Sequence, residues 1–193
     1  MLPLPGGEGK SLRLSQPANA EIPIWLATLG PNSLEYTGEV ADGWAGTSFL
    51  PSGASATIAH VRNGALKAQR DPDAIQYQAG GAVQFGDDLD QLLVPRRPGV
   101  AFTLGAMGSP STNFYNDAYR RGGFEEEAKL VQRLWVERER DKAIAAVPDE
   151  LILQTNFLGT VPEVTQRVRA YQAAGINVLR VQPEGAETQE RLD

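Results

Sequence analysis

The run Ile22-Pro23-Ile24-Trp25-Leu26-Ala27-Thr28-Leu29 is almost continuously apolar, and no other feature narrows the fold as far. Such a run suits a strand buried on both faces, as parallel strands of α/β proteins are. Pro23 sits near its start, where a missing donor is tolerated. Gly30-Pro31-Asn32-Ser33 then supplies a tight turn and a helix start, with Asn32 or Ser33 as N-cap and Glu35 in the first turn. Leu34, Thr37, Gly38 and Val40-Ala41 face inward at helical spacing, Asp42-Gly43 breaks the helix, and Trp44 to Leu50 reads as a second apolar strand. Strand, short helix and strand make a βαβ unit, which requires parallel strands and a right-handed crossover.

The pattern continues. Ser52 to Gln69 is helical, with Ile58, Val61, Ala65, Leu66 and Ala68 on one face, and Asp71-Pro72 stops it. Ala74 to Phe85 reads as a third strand, in which Gly80-Gly81 signals a bulge or a close backbone approach. Residues 87–107 are helical but broken by Pro95 and Pro98. Phe124 to Val147 reads as one long helix with Phe124, Ala128, Val131, Leu134 and Trp135 on a single stripe. Thr160-Val161-Pro162-Glu163 is a capping box, opening a helix through Ala174 that stops at Gly175. Ile176 to Val181 is the fourth strand, residues 187–193 begin another helix, and residues 1–21 form a loop or arm rich in Pro and Gly. The order is βαβαβ, a long helical insertion over residues 86–158, then αβ, within one domain spanning residues 1–193.

Composition removes several function classes. The 193 residues include no cysteine, which excludes disulfides, thiolate nucleophiles and Cys-ligated zinc, and His60 alone cannot build a multi-histidine metal centre. A net charge of -6 argues against a nucleic-acid binder, because phosphate affinity needs clustered Lys and Arg. No apolar run approaches the roughly 18 to 20 residues that span a bilayer, and the start MLPLPGGEGK has no secretory signal, so the expectation is a cytoplasmic protein without membrane partners.

From Ile22 to Pro31, and again over Glu39-Val40-Ala41-Asp42-Gly43-Trp44, the sequence resembles the luciferase-like monooxygenase superfamily, most closely its branch of oxidoreductases dependent on the deazaflavin coenzyme F420. Residues 6–12 (GGEGKSL), Gly105-Ala106-Met107-Gly108 leading to Asn113-Phe114-Tyr115-Asn116-Asp117, and Val147-Pro148-Asp149-Glu150-Leu151 support that branch. Leu158-Gly159-Thr160 and Ala173-Ala174-Gly175-Ile176 fit it too. The resemblance implies a TIM-type (β/α)8 barrel. A complete barrel takes about 250 residues and eight strands, so the expectation is a partial barrel: four parallel βα units, its second half, with the helical insertion before the last unit.

Barrel enzymes place their sites at the C-terminal ends of the strands. After the first strand these are Thr28, Leu29 and Gly30, and after the second, Thr47 and Ser48. On residue pattern alone Gly30-Pro31 is a turn before a helix, and Thr47 and Ser48 satisfy strand-end amides. The resemblance is what assigns all five to cofactor binding, with Leu29 a departure from the glycine of some relatives. The cofactor it implies is F420, with FMN the alternative, and the reaction is hydride transfer to or from a small organic substrate. No catalytic residue is assigned, since the family's early strands are absent. Arg96-Arg97 and Arg120-Arg121 read as solvated pairs, His60 as a surface or packed residue, and Trp25, Trp44 and Trp135 as core. As an isolated chain the protein is expected to be inactive, and either to pair with a missing N-terminal half or to form a homo-oligomer. The alternative function is a non-catalytic module that binds flavin or dimerises through its open edges.

Overall fold

The computed structural model describes residues 15–17, 19–109 and 111–185. The arm over residues 1–21 lies mostly outside these residues, and the helix start at residues 187–193 wholly outside. Among the described residues the elements run β1 (Trp25–Leu26), α1 (Pro31–Val40), β2 (Gly43–Ala45), α2 (Ala54–Lys67) and β3 (Gln76–Phe85). The insertion follows as α3 (Leu89–Leu93), α4 (Arg97–Ala106), α5 (Phe114–Arg121), α6 (Glu125–Val136), α7 (Arg140–Ala145) and α8 (Asp149–Thr155). The chain closes with β4 (Phe157–Gly159), α9 (Val161–Ala173) and β5 (Val178–Pro183).

All strand pairs are parallel. Gln78 pairs with both Ala45 and Val178, and Val83 with both Phe157 and Pro183. A strand has only two edges, so β2 and β4 share one edge of β3, at opposite ends, and β5 holds the other. The four expected strands are therefore β1, β2, β3 and β5 in sequential order. β4 is a short addition that the sequence showed only as a turn.

The apolar run at Ile22 forms a much shorter strand than expected. Ile24 lies just outside it, its amide donating to the Asp42 carboxylate at 2.8 Å and its carbonyl accepting from the Asp42 amide at 2.8 Å. The second strand likewise ends at Ala45 instead of Leu50, because Gly46 to Ser48 turn the chain into the next helix. The expected long helix from Phe124 to Val147 is two, α6 and α7, broken where Arg138 adopts φ 65° and the Glu139 amide reaches back to the Leu134 carbonyl at 2.9 Å. The N-cap of α1 is Gly30, with Pro31 in the first turn, rather than Asn32 or Ser33. Proline's fixed φ and absent N–H suit the first helical position, and that preference sets the boundary. Val40 and Leu66, expected inside, are exposed, and Gly64 takes the inner position of α2 where it meets α1. Two expectations hold: the Thr160 and Glu163 capping box opens α9, and Gly80 and Gly81 each lie where an added Cβ would strike the Arg180 or Thr155 carbonyl oxygen.

Two apolar clusters position the rest. One lies between the sheet and α1, α2 and α9, built on Leu34, Trp44, Val61, Ile75, Tyr77, Ala79, Phe157 and Tyr171. Each large side chain buried there contributes about 1.5–3 kcal/mol. The other fills the insertion, around Leu104, Ala128, Val131, Val147, Leu151 and Ile152. Phe157 belongs to the first and its neighbour Leu158 to the second, so β4 joins them. Strand alternation then sends Gln76, Gln78, Gly80, Ala82 and Gln84 to the face away from the helices, and register adds Val178, Arg180 and Gln182. On that face the Trp25 ring covers Gly43. Trp25 and Trp135 are half-buried, and of the three tryptophans only Trp44 is core.

Candidate cofactor site

At the C-terminal ends of β1 and β2 the backbone leaves a crevice lined by Thr28, Leu29, Trp44, Thr47, Ser48, Phe49, Leu50, Thr57 and Arg121, among others. Four of the five residues expected from sequence meet there. Gly30 does not line it; it stands behind, as the N-cap of α1, without a side-chain cap on that helix. An uncapped first turn leaves backbone N–H donors at the positive end of the helix dipole.

The crevice is held from several directions. Thr28 is pinned twice, its hydroxyl 2.8 Å from that of Thr37 and its carbonyl accepting from Trp44 Nε1 at 3.0 Å. Trp44 is buried and packs edge-on against Phe49, which packs on Tyr171, so the strand-end loop rests on an aromatic row. Ser48 adopts φ 52°, a left-handed conformation that costs a non-glycine residue energy and that surrounding contacts must enforce. The buried Tyr119 lies beside it. Burial pushes the Tyr119 phenol above its usual pKa, with the nearby Ser48 hydroxyl acting in the opposite direction, so the phenol stays neutral at physiological pH.

Sequence reasoning missed Arg121. Its guanidinium donates to the Leu29 carbonyl at 2.7 Å and stands at the edge of the crevice, bringing a cation to a rim otherwise made of hydroxyls and backbone. Arg96 and Arg97, in contrast to the exposed Arg121, are not solvated: their side chains are 12% and 22% exposed, and they bond to Leu92, Gln84 and Glu184, and to Val147 and Asp149. No local signal predicts this, because every partner except Leu92 is distant in sequence. His60 stands on α2, 3.6 Å from a Glu35 carboxylate oxygen and away from the strand ends. Asn113 accepts from the Tyr115 and Asn116 amides, and Asn116 spans the Leu104 and Ala128 carbonyls, so that segment orders the insertion.

The crevice encloses only about 20 Å³, the room of a single water, so no ring is swallowed by it. What it offers is one wall: hydroxyls at Thr47, Ser48 and Thr57, a cation at Arg121, and the first turn of α1. Those donors fit one polar edge of a flat ring or an anionic tail laid across the mouth.

A family model described as luciferase-like monooxygenase matches residues 3–177. The Mycobacterium tuberculosis protein Rv3520c, whose name describes a coenzyme F420-dependent oxidoreductase, is 30% identical across 96% of this chain, which covers 56% of that protein. A phthiodiolone/phenolphthiodiolone dimycocerosates ketoreductase of Mycobacterium kansasii is 29% identical over 82% of this chain and 44% of its own length. Among solved structures, the coenzyme F420 dependent tetrahydromethanopterin reductase of Methanopyrus kandleri superposes with a TM-score of 0.68 at 23% identity, over 90% of this chain and 48% of that one. An F420-dependent secondary alcohol dehydrogenase does so with a TM-score of 0.56 at 19% identity, over 91% and 47%. The chain thus spans about half the length of the relatives it matches.

Proposed function

The chain belongs to the luciferase-like monooxygenase family, and from that premise we propose that it carries the second half of the cofactor pocket of an F420-dependent oxidoreductase. The complete enzyme transfers a hydride between the deazaflavin and a small organic substrate. Thr28, Leu29, Thr47 and Ser48 hold the cofactor's polar edge from the crevice, with Gly30 and the first turn of α1 behind them. The observation that carries this reading is their convergence, with Arg121, at the one end of the sheet where barrel enzymes work. The cofactor supplies the hydride chemistry when bound; these residues bind and orient it. F420 is favoured over FMN because three of the four relatives named above carry F420 in their descriptions.

By themselves these residues are expected to be inactive, since they supply about half of a barrel wall, and a working form joins them to the other half or to a second copy. Among the described residues no helix is long and apolar enough to cross a membrane. The test is titration of the purified chain with F420 and separately with FMN, followed by absorbance, alongside a turnover assay. Binding of F420 weakened by Thr47→Val or Ser48→Ala supports the reading. F420-linked turnover by the chain alone, with no second chain, sinks the expected inactivity.

A second reading, a non-catalytic module that dimerises through its open flanks, draws on exposed apolar side chains at both ends of the sheet. Ile22 and Ile24 lie beside β1, and Leu179 and Val181 on β5. Light scattering that finds a stable dimer, with no response to either flavin, favours it.

A further inference from the structure

A second pocket opens on the same rim, at the C-terminal ends of β3 and β5. It is a cavity of about 440 Å³ lined by Gln84, Gln91, Arg96, Gln182 and Glu184, among others. Nothing in the cofactor reading uses it. Its floor is the Arg96 side chain, only 12% exposed. One terminal nitrogen donates to the Leu92 carbonyl. The other serves the Gln84 side-chain oxygen at 3.0 Å and the Glu184 carboxylate. The third donor, Nε, is buried and has no acceptor. A buried N–H of a charged group left without an acceptor is costly, so it marks a place where an acceptor oxygen is wanted.

The surrounding groups agree. Register sets Gln84 and Gln182 on the face of the sheet away from the helices, which in a barrel is the interior. The Gln84 oxygen is taken by Arg96, leaving its amide nitrogen as a donor for a ligand. Glu184, 41% exposed, is the only carboxylate among the described residues lining the cavity, and it occupies the guanidinium as an internal anion that an incoming one can displace. A planar carboxylate matches the guanidinium fork, which lysine could not do as well.

We propose that this pocket binds a small molecule bearing a carboxylate, seated on Arg96 with Gln84 and Gln182 and in competition with Glu184, and that it sets the substrate class of the complete enzyme. The substrate assignment rests on the oxidoreductase reading, whereas carboxylate binding is read from the pocket alone, so the two fail separately.

The experiment is NMR titration of the 15N-labelled chain with benzoate and with benzamide, which has the same shape without the charge. Benzoate is expected to shift the Arg96 Nε–H signal and the side-chain amides of Gln84 and Gln182, and benzamide to leave them in place. Glu184→Gln removes the internal competitor and should tighten benzoate about threefold or more, and Arg96→Gln should abolish the response. Because Arg96 also holds the Leu92 carbonyl, its variant counts only with a native-like spectrum; Glu184→Gln, at an exposed position, carries the test otherwise. Benzoate that moves these signals no more than benzamide, or that binds Glu184→Gln no more tightly than the parent, overturns the proposal. F420 is read at other signals, those of Thr28, Thr47 and Ser48. Silence there with the benzoate response intact counts against the cofactor reading and leaves the carboxylate pocket standing.

Discussion

The Arg121 guanidinium donates to the Leu29 carbonyl at 2.7 Å, across 92 residues of sequence. One contact thereby joins the last turn of α5, in the insertion, to the loop after β1. The Ser52 hydroxyl makes a parallel link to the Gly122 carbonyl at 2.8 Å, so the end of α5 fastens both strand-end loops of the crevice. The insertion is thus part of the wall of the site as well as a bundle beside the barrel.

Replacing Arg121 with Ala should therefore loosen the loop before it weakens the fold. Hydrogen exchange over residues 28–33 is expected to rise while α6 and α9 stay protected. F420 affinity should fall about three- to tenfold, the scale of one exposed charge-assisted bond. Exchange that is unchanged over residues 28–33 would show that the bond is decorative.

A second prediction concerns the contact of α1 with α2. A Cβ at Gly38 would stand 1.9 Å from the Val61 carbonyl oxygen, and one at Gly64 would stand 1.8 Å from that of Glu35. Both obstacles are backbone, so the helices must separate to admit a methyl group. Gly38→Ala and Gly64→Ala should each destabilise by about 1–3 kcal/mol, seen as a lower midpoint in urea. This outweighs the gain of up to about 1 kcal/mol that alanine brings to a helix interior.

How much of this was legible in the sequence follows from the range of the forces involved. The capping box at Thr160 and Glu163, the glycine stop at Gly175 and the αβ alternation are local patterns, and they read through. The break at Arg138 did not, because the left-handed residue is an arginine and the apolar stripe runs past it to Ala143 and Val147. β4 is three residues long, too short for any periodicity, and exists because β3 extends past β2 and leaves an edge to pair. Thr28, Leu29, Thr47 and Ser48, which line one crevice, were named through family resemblance and a rule about strand ends. Arg96 was read as solvated because charged pairs usually are, and Arg121, exposed as read, gave no sign of its bond to Leu29; their partners lie up to 88 and 92 residues away.

The capping box makes a pH prediction. Hydrogen bonds from the Thr160 hydroxyl and amide, both at 2.7 Å, hold the Glu163 carboxyl below its ordinary value of 4.5. A carboxyl depressed in the folded state favours folding above its unfolded pKa, and that contribution is lost as pH falls through the folded one. Protection of the first turn of α9 should thus be complete above pH 4.5 and decline below it. In Thr160→Ala the Glu163 carboxyl should titrate nearer its ordinary value, as followed by carbon NMR of the side chain. A titration midpoint that does not rise would remove the box from the account.

The open flanks of the sheet set the last prediction. Leu26, one residue from the described start of β1, shares a face with Trp44 by register, so Ile24 lies toward the helix side as well. At the other flank Leu179 pairs with Ala79 and Val181 with Gly81, which puts both on that same side. Yet Ile24, Leu179 and Val181 are 58%, 37% and 47% exposed, whereas Ala79 is fully buried. Among the described residues, apolar side chains on the helix-bearing face are thus uncovered at both flanks, next to strand edges that no described strand pairs, and both features favour pairing with another chain. Sedimentation velocity should therefore show association that grows with concentration, and Leu179→Lys with Val181→Lys should suppress it. Because both positions are exposed, the far-ultraviolet circular dichroism and the urea midpoint of the double variant should stay close to the parent. Association that persists unchanged in the double variant would place the contact elsewhere than on β5.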